Sequence, residues 1–182
     1  MNLEFQRTHD QINIQLIDKE TNSVSVLSEK DSYIIDAILR IIIRDYSQAY
    51  EALERIYGDK AHYRFLMVRR FIKCNMSIGD AVTDFDGNSF NFEQVVCPLR
   101  GECNVDGVVC RPKFNTDLSE RELEVAKLIA ADLPDHVIAD KIFISVHTVI
   151  NHKKNIYKKL DINKRSQLIS YIHKNYPEAN SI

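Results

Sequence analysis

The stretch LSERELEVAKLIAADLPDHVIADKIFISVHTVINHKKNIYKKLDINKRSQLI, residues 118–169, carries the densest local structural signal in the chain. Ser119, or Asp117 before it, is placed to cap a helix, and Glu122 stands three residues after Ser119 in the capping-box relation, so each side chain can satisfy the other's backbone amide. Leu123, Ala126, Leu128 and Ile129 supply that helix with an apolar face. Pro134 opens a short second helix, Asp135 to Lys141, since proline has no amide to lose in a first turn; Val137, Ile138 and Ile142 are its inward residues. Ser145 starts a third helix, Ser145 to Leu160, and a fourth runs from about Lys164 to His173. Four short helices with tight connections predict a helix-turn-helix bundle.

The third helix divides cleanly when its residues are placed at 3.6 per turn. Val149, Ile156 and Leu160 fall on one side with His152 beside them, a packing position. His147, Asn151, Lys154 and Lys158 fall on the other, flanked by Ile150. An α-helix fits the major groove of B-form DNA; Asn can bond adenine with both ends of its amide, Lys can reach guanine acceptors or phosphates, and Ile150 can meet a thymine methyl. Thr148, Lys153 and Lys159 lie at the rim, where contacts go to phosphates and set register rather than read sequence.

Taken together, LSEREL from Leu118, IAD at Ile138 to Asp140, ISVHTV from Ile144, His152 and KKL at Lys158 to Leu160 resemble the LuxR-type (NarL/FixJ, GerE) helix-turn-helix. The resemblance covers about residues 117–172. It implies a transcription regulator that binds double-stranded DNA with its third helix in the major groove, often as a homodimer formed through the last helix. By position it makes Ile150, Asn151 and Lys154 reading residues and Thr148 and Lys158 backbone contacts. The chain departs from the pattern at Ile150, where Lys is frequent, at Asp132 and Asp161, where Gly is common, and at Val137, which replaces a usual Glu.

As a whole, the 182 residues are 45% apolar and 27% charged, a globular composition long enough for one large or two small domains. With 24 Lys and Arg against 26 Asp and Glu the chain is not basic throughout. The balance is uneven: from Lys141 to Tyr176 eight basic residues face the single acid Asp161, a local positive surface suited to a duplex. Neither a membrane span nor a secretory leader is recognisable, so the cytoplasm is the expected location. The expected division is an α+β input or dimerisation domain over 1–112, a linker at 113–116 and the DNA-binding domain over 117–176, a mainly α protein.

In the first domain, INIQLI from Ile12 and SVSVL from Ser23 alternate as small strands do. A stripe of Ile35, Leu39, Ile42, Tyr46, Ala49, Leu53 and Ile56 predicts one helix from about Asp31 to Gly58. A second stripe, Ala61, Phe65, Val68 and Ile72, predicts an antiparallel partner from Asp59 to about Cys74; the stripes serve either as core or as a dimer seam. Turn residues dominate from Asn75 to Pro112, with a hairpin expected around Asp86 to Val96. The βα repeats of a phosphoacceptor receiver domain are missing, so no aspartyl phosphorylation is expected.

All four cysteines lie in this half: Cys74, Cys97, Cys103 and Cys110. Four thiolates suffice for a structural zinc ion, which would tie a turn-rich segment poor in apolar residues to the helices; an iron–sulfur cluster takes the same donors. Against both, no C-x-x-C pair is present, and plain thiols or a disulfide remain open. No phosphate-cradling glycine motif, no H-E-x-x-H helix and no nucleophile arrangement is present, so an enzyme is not expected. Two functions stay in competition. One is a sequence-specific DNA-binding regulator. The other is an adaptor that contacts RNA polymerase or another protein through the bundle without reading bases.

Overall fold

A computed structural model of the chain describes residues 1–9, 12–80 and 82–176. Among them the protein is mainly α, with seven helices and one three-stranded sheet, and it divides into two compact units, Met1–Asn115 and Thr116–Ile182. No helix among the described residues is long and apolar enough to cross a membrane.

The first unit opens with β1 (Leu3–Arg7), β2 (Ile14–Asp18) and β3 (Ser23–Val26), paired antiparallel in that order with Phe5 opposite Leu16 and Ile17 opposite Val24. Leu3, Phe5, Ile14 and Leu16 alternate onto one buried face. The two expected strands are β2 and β3. The strand β1 was not anticipated, because two apolar residues in alternation are too few to stand out in a sequence.

The stripe from Ile35 to Leu53 is buried as expected, yet the helix that carries it is broken. The helices α1 (Ser32–Asp45) and α2 (Ser47–Tyr57) meet at Tyr46, whose backbone leaves the helical region at φ −140° and ψ 53°. The Tyr46 ring enters an aromatic cluster with Phe71, Phe90, Phe92 and Phe114 at centroid separations of 5.4–6.1 Å. Asn115 repairs the interrupted hydrogen bonding. Its Oδ1 accepts from the Ser47 amide at 3.1 Å and hydroxyl at 2.9 Å, and its Nδ2 donates to the Arg44 carbonyl at 2.8 Å. Phe114 and Asn115, expected in the linker, are therefore anchored parts of the first unit. The third helix, α3 (Tyr63–Asn75), begins four residues later than expected, after His62 takes a left-handed φ of 56°. It packs on both α1 and α2, so the expected hairpin is a three-helix layer and the stripe is core rather than a dimer seam. The hairpin expected near Asp86 reduces to one bridge, Phe85 to Phe90, closed by the Asp86 carboxylate on the Asn88 and Ser89 amides.

The second unit consists of α4 (Glu120–Ala130), α5 (Asp135–Lys141), α6 (Val146–Lys159) and α7 (Arg165–Asn175), the four helices read from the sequence. Val125, Ala126, Ile129, Ile138, Val149, Ile156, Leu168 and Ile172 form its core. The capping box is present, Ser119 accepting from the Glu122 amide and Glu122 from the Ser119 amide. The helices α4, α5 and α6 all end in the same way. The third residue past each end returns an amide to a carbonyl five residues back, as in Leu133 to Leu128, Ile144 to Ala139 and Ile162 to Tyr157. The left-handed position that this requires is filled by Asp132, Phe143 and Asp161, with φ of 60°, 55° and 50°. Two of these are the sites where the sequence departs from glycine.

Candidate nucleic-acid interface

Helix α6 is fixed at both ends. Ser145 caps it by accepting from the Thr148 amide at 3.0 Å, and the two hydroxyls lie 2.8 Å apart, so Thr148 is half-buried at the rim of the first turn. Val149 and Ile156 are fully buried and Leu160 partly so. This orientation leaves His147, Asn151, Lys154 and Lys158 exposed on the opposite side, with Ile150 38% exposed beside them. The face read from periodicity is therefore the face presented to solvent. His152, expected as a packing residue, is half-buried.

The lysines divide into two groups. Lys153, expected on phosphates, is bound within the unit: its ammonium lies 2.8 and 2.9 Å from the two carboxylate oxygens of Asp135 in the first turn of α5. Lys159 likewise donates to Glu122 at 2.7 Å, and that hydrogen bond holds the Glu122 carboxyl below its ordinary range. These two cations align α6 on its neighbours. Lys154 and Lys158 make no ion pair among the described residues, so their charge is available to a polyanion.

Three exposed residues bordering this face escaped the sequence reading. Phe143, at the turn before α6, is 94% exposed, Val146 lies exposed in the first turn, and Asn155 adds a second amide. An aromatic residue in a left-handed conformation with almost no burial is disfavoured on both counts. A bulky residue at a helix C-terminal position where glycine is cheapest was the available signal.

In the first unit, Cys74 lies near the end of α3 and Cys97, Cys103 and Cys110 in the turns that follow; none is in a disulfide. Burial pushes the Cys74 thiol up to about 12, the neighbouring Cys110 thiol adding to the shift and the Arg70 guanidinium opposing it. Among the described residues, Glu4, Asp80 and Glu93 are the group whose potential ligand atoms lie within 4.8 Å of one another; no three of the cysteine sulfurs lie as close. Those carboxylates already hold the amides of Asp80, Ser77 and Ile78, and Lys19 pairs with Glu4, so the group clamps a loop. Asp84 beside it is 1% exposed and accepts from the Phe5 amide at 2.7 Å. Burial, with Glu4, Glu93 and Asp80 nearby, pushes its carboxyl up to about 8.

Residues 116–172 match the family described as bacterial regulatory proteins, luxR family. Over 54 residues, 30% of this chain and 25% of the other, the sequence is 46% identical to the oxygen regulatory protein NreC of Staphylococcus haemolyticus (strain JCSC1435). It is 41% identical over 59 residues, 32% of this chain and 28% of the other, to the transcriptional regulatory protein LiaR of Bacillus subtilis (strain 168). The match thus spans about a quarter of the length of these relatives.

Proposed function

We propose that this protein, whose residues 116–172 are a LuxR-family helix-turn-helix domain, is a DNA-binding transcription regulator that inserts α6 into the major groove. The observation that carries the reading is the exposed face of α6, where Asn151, Lys154 and Lys158 stand opposite the buried Val149 and Ile156. Asn151 and Ile150 suit base edges, and His147 borders them. Lys154 and Lys158 suit guanine acceptors or phosphates, and the Thr148 hydroxyl at the α6 N-terminus suits a phosphate. Lys153 acts through α5, holding the reading helix in place.

Two copies on a two-fold site would give the affinity that one short helix lacks. The outer face of α7, with Ser166, Gln167, Ser170 and His173 exposed, is the surface we assign to that pairing. In this reading the first unit serves as the input or dimerisation module, and a DNA ligand supports a cytoplasmic location.

The exposed apolar residues Phe143, Val146 and Ile150 favour one other reading, an adaptor that contacts RNA polymerase or another protein. Selection of duplexes from a random pool separates the two. A recovered consensus whose affinity falls steeply with salt supports the DNA reading. Recovery of no consensus, with the full chain folded, refutes it.

A further inference from the structure

We infer that Cys74, Cys97, Cys103 and Cys110 are the ligands of one thiolate-bound metal centre in the first unit. The fold brings Cys110 and Cys97 toward Cys74, and Cys103 onto Arg70, which also faces Cys74. Asn75, the residue after Cys74, is buried, and its side chain clamps both neighbours of Cys110: its Nδ2 donates to the Val109 carbonyl at 2.8 Å, and its Oδ1 accepts from the Arg111 amide at 2.9 Å. The Cys74 thiol consequently faces that of Cys110, with Cys97 close enough to interact. Arg70, one turn earlier on α3, donates to the Cys103 sulfur at 3.2 Å and also faces Cys74.

The segment that supplies three of the thiols has no helix or strand. It is organised instead by turns. The Cys103 amide bonds the Leu99 carbonyl, the Arg100 amide that of Cys97, and Asp106 takes the Gly101 amide and the Arg100 guanidinium. Val105 and Val109 are buried beneath it. Ordinary free thiols give no reason for a turn-built segment to bring Cys110 against Cys74 and to set Cys103 on the arginine that also faces Cys74. A thiophilic centre does: metal binding supplies the folding energy that so few apolar residues cannot, and the thiol protons are released to solvent. Arg70 then donates to a ligand sulfur and offsets the excess negative charge of four thiolates, the outer-shell role such ligands need.

Two groups share this donor chemistry. A single zinc ion, at about 2.3 Å from each sulfur, brings four tetrahedral sulfurs to about 3.8 Å from one another. The four observed sulfurs are not all that close, so zinc would draw the turns inward. An iron–sulfur cluster spreads its four ligands over several metal atoms and tolerates the wider spacing.

The test uses the full chain, purified without oxygen or chelator, and measures zinc, iron and acid-labile sulfide together with the visible spectrum. One zinc per chain and a colourless protein identify the ion. Iron with matching sulfide and visible absorption identifies the cluster. In either case Cys97→Ser and Cys103→Ser are expected to lower metal content at least tenfold. Because these variants can fail to fold, the native chain supplies a second readout: its four thiols should resist a thiol reagent until a strong chelator or acid removes the metal. A folded chain that carries no metal, reacts at its thiols without chelator and takes up neither zinc nor cobalt(II) overturns the inference. So does metal retained in full by both serine variants. Neither outcome bears on duplex binding by α6.

Discussion

The Glu122 carboxylate accepts from the Lys159 ammonium at 2.7 Å and from the Ser119 amide at 2.8 Å. One oxygen thus joins the capping box of α4 to the last turn of α6. Glu122→Gln keeps an acceptor but loses the charge, and should destabilise the second unit by about 1–3 kcal/mol. The pH dependence has a definite sign. Lys159 lowers the folded pKa of Glu122, so its contribution is present above the ordinary carboxylate value and fades as pH falls through the folded value. Urea unfolding at neutral and acid pH should show the variant converging on the parent in acid; a constant gap would refute this account.

Lys154 and Lys158 are exposed, whereas Lys153 is paired with Asp135. Lys154→Ala and Lys158→Ala should each reduce the salt slope of duplex binding by about 0.9 for every phosphate left without its cation. Lys153→Ala should leave that slope nearly unchanged while lowering the melting temperature. Anisotropy titrations across a salt series measure both, and equal slopes for all three variants would reject the division.

Phe143 occupies a left-handed position with φ 55° and 94% exposure. Phe143→Gly should raise stability by about 1 kcal/mol through relief of that backbone while weakening duplex binding several-fold. A gain in melting temperature with unchanged affinity would remove Phe143 from the interface.

Asp84 has a folded pKa of about 8 against an ordinary 3.8. Between these values the folded protein keeps a proton that the unfolded chain has lost, so stability should decline as pH rises from about 4 to 8, by up to about 1.4 kcal/mol per pH unit. Asp84→Asn preserves an acceptor for the Phe5 amide and should flatten this slope, leaving the variant more stable than the parent near pH 8. Thermal melts from pH 5 to 8 decide it, a rising parental profile being the contrary result.

Asn115 terminates α1 and starts α2 with one side chain. Asn115→Ala leaves the Arg44 carbonyl and the Ser47 amide without this partner and should cost about 1–3 kcal/mol. Hydrogen exchange at residues 44–50 should rise with it; protection unchanged at the α1–α2 junction would contradict the assignment.

The second unit was legible because its signals are local. Ser119 with Glu122, Pro134 and Ser145 act within one turn of themselves, and the 3.6-residue period of Val149 and Ile156 turns Asn151 and Lys154 outward whatever the neighbours are. The ion pairs of Lys153 and Lys159 were not legible for the complementary reason: Asp135 and Glu122 are 18 and 37 residues away, and no periodicity reports that a charge is already neutralised. In the first unit the stripe through Tyr46 looks continuous because periodicity registers which side chains are buried and is blind to a change of axis that keeps them buried.

Chain chemistry alone settled the identity of the bundle, the starts of α5 and α6 and the outward face of α6, since caps and period are properties of neighbouring residues. Tertiary packing alone decided which cations remain free for a polyanion, where α1 yields to α2, and that the Asn75 side chain holds Cys110 opposite Cys74. Those outcomes depend on groups remote in sequence, and closing the loops between them is set by the free energy of the whole fold rather than by any local preference.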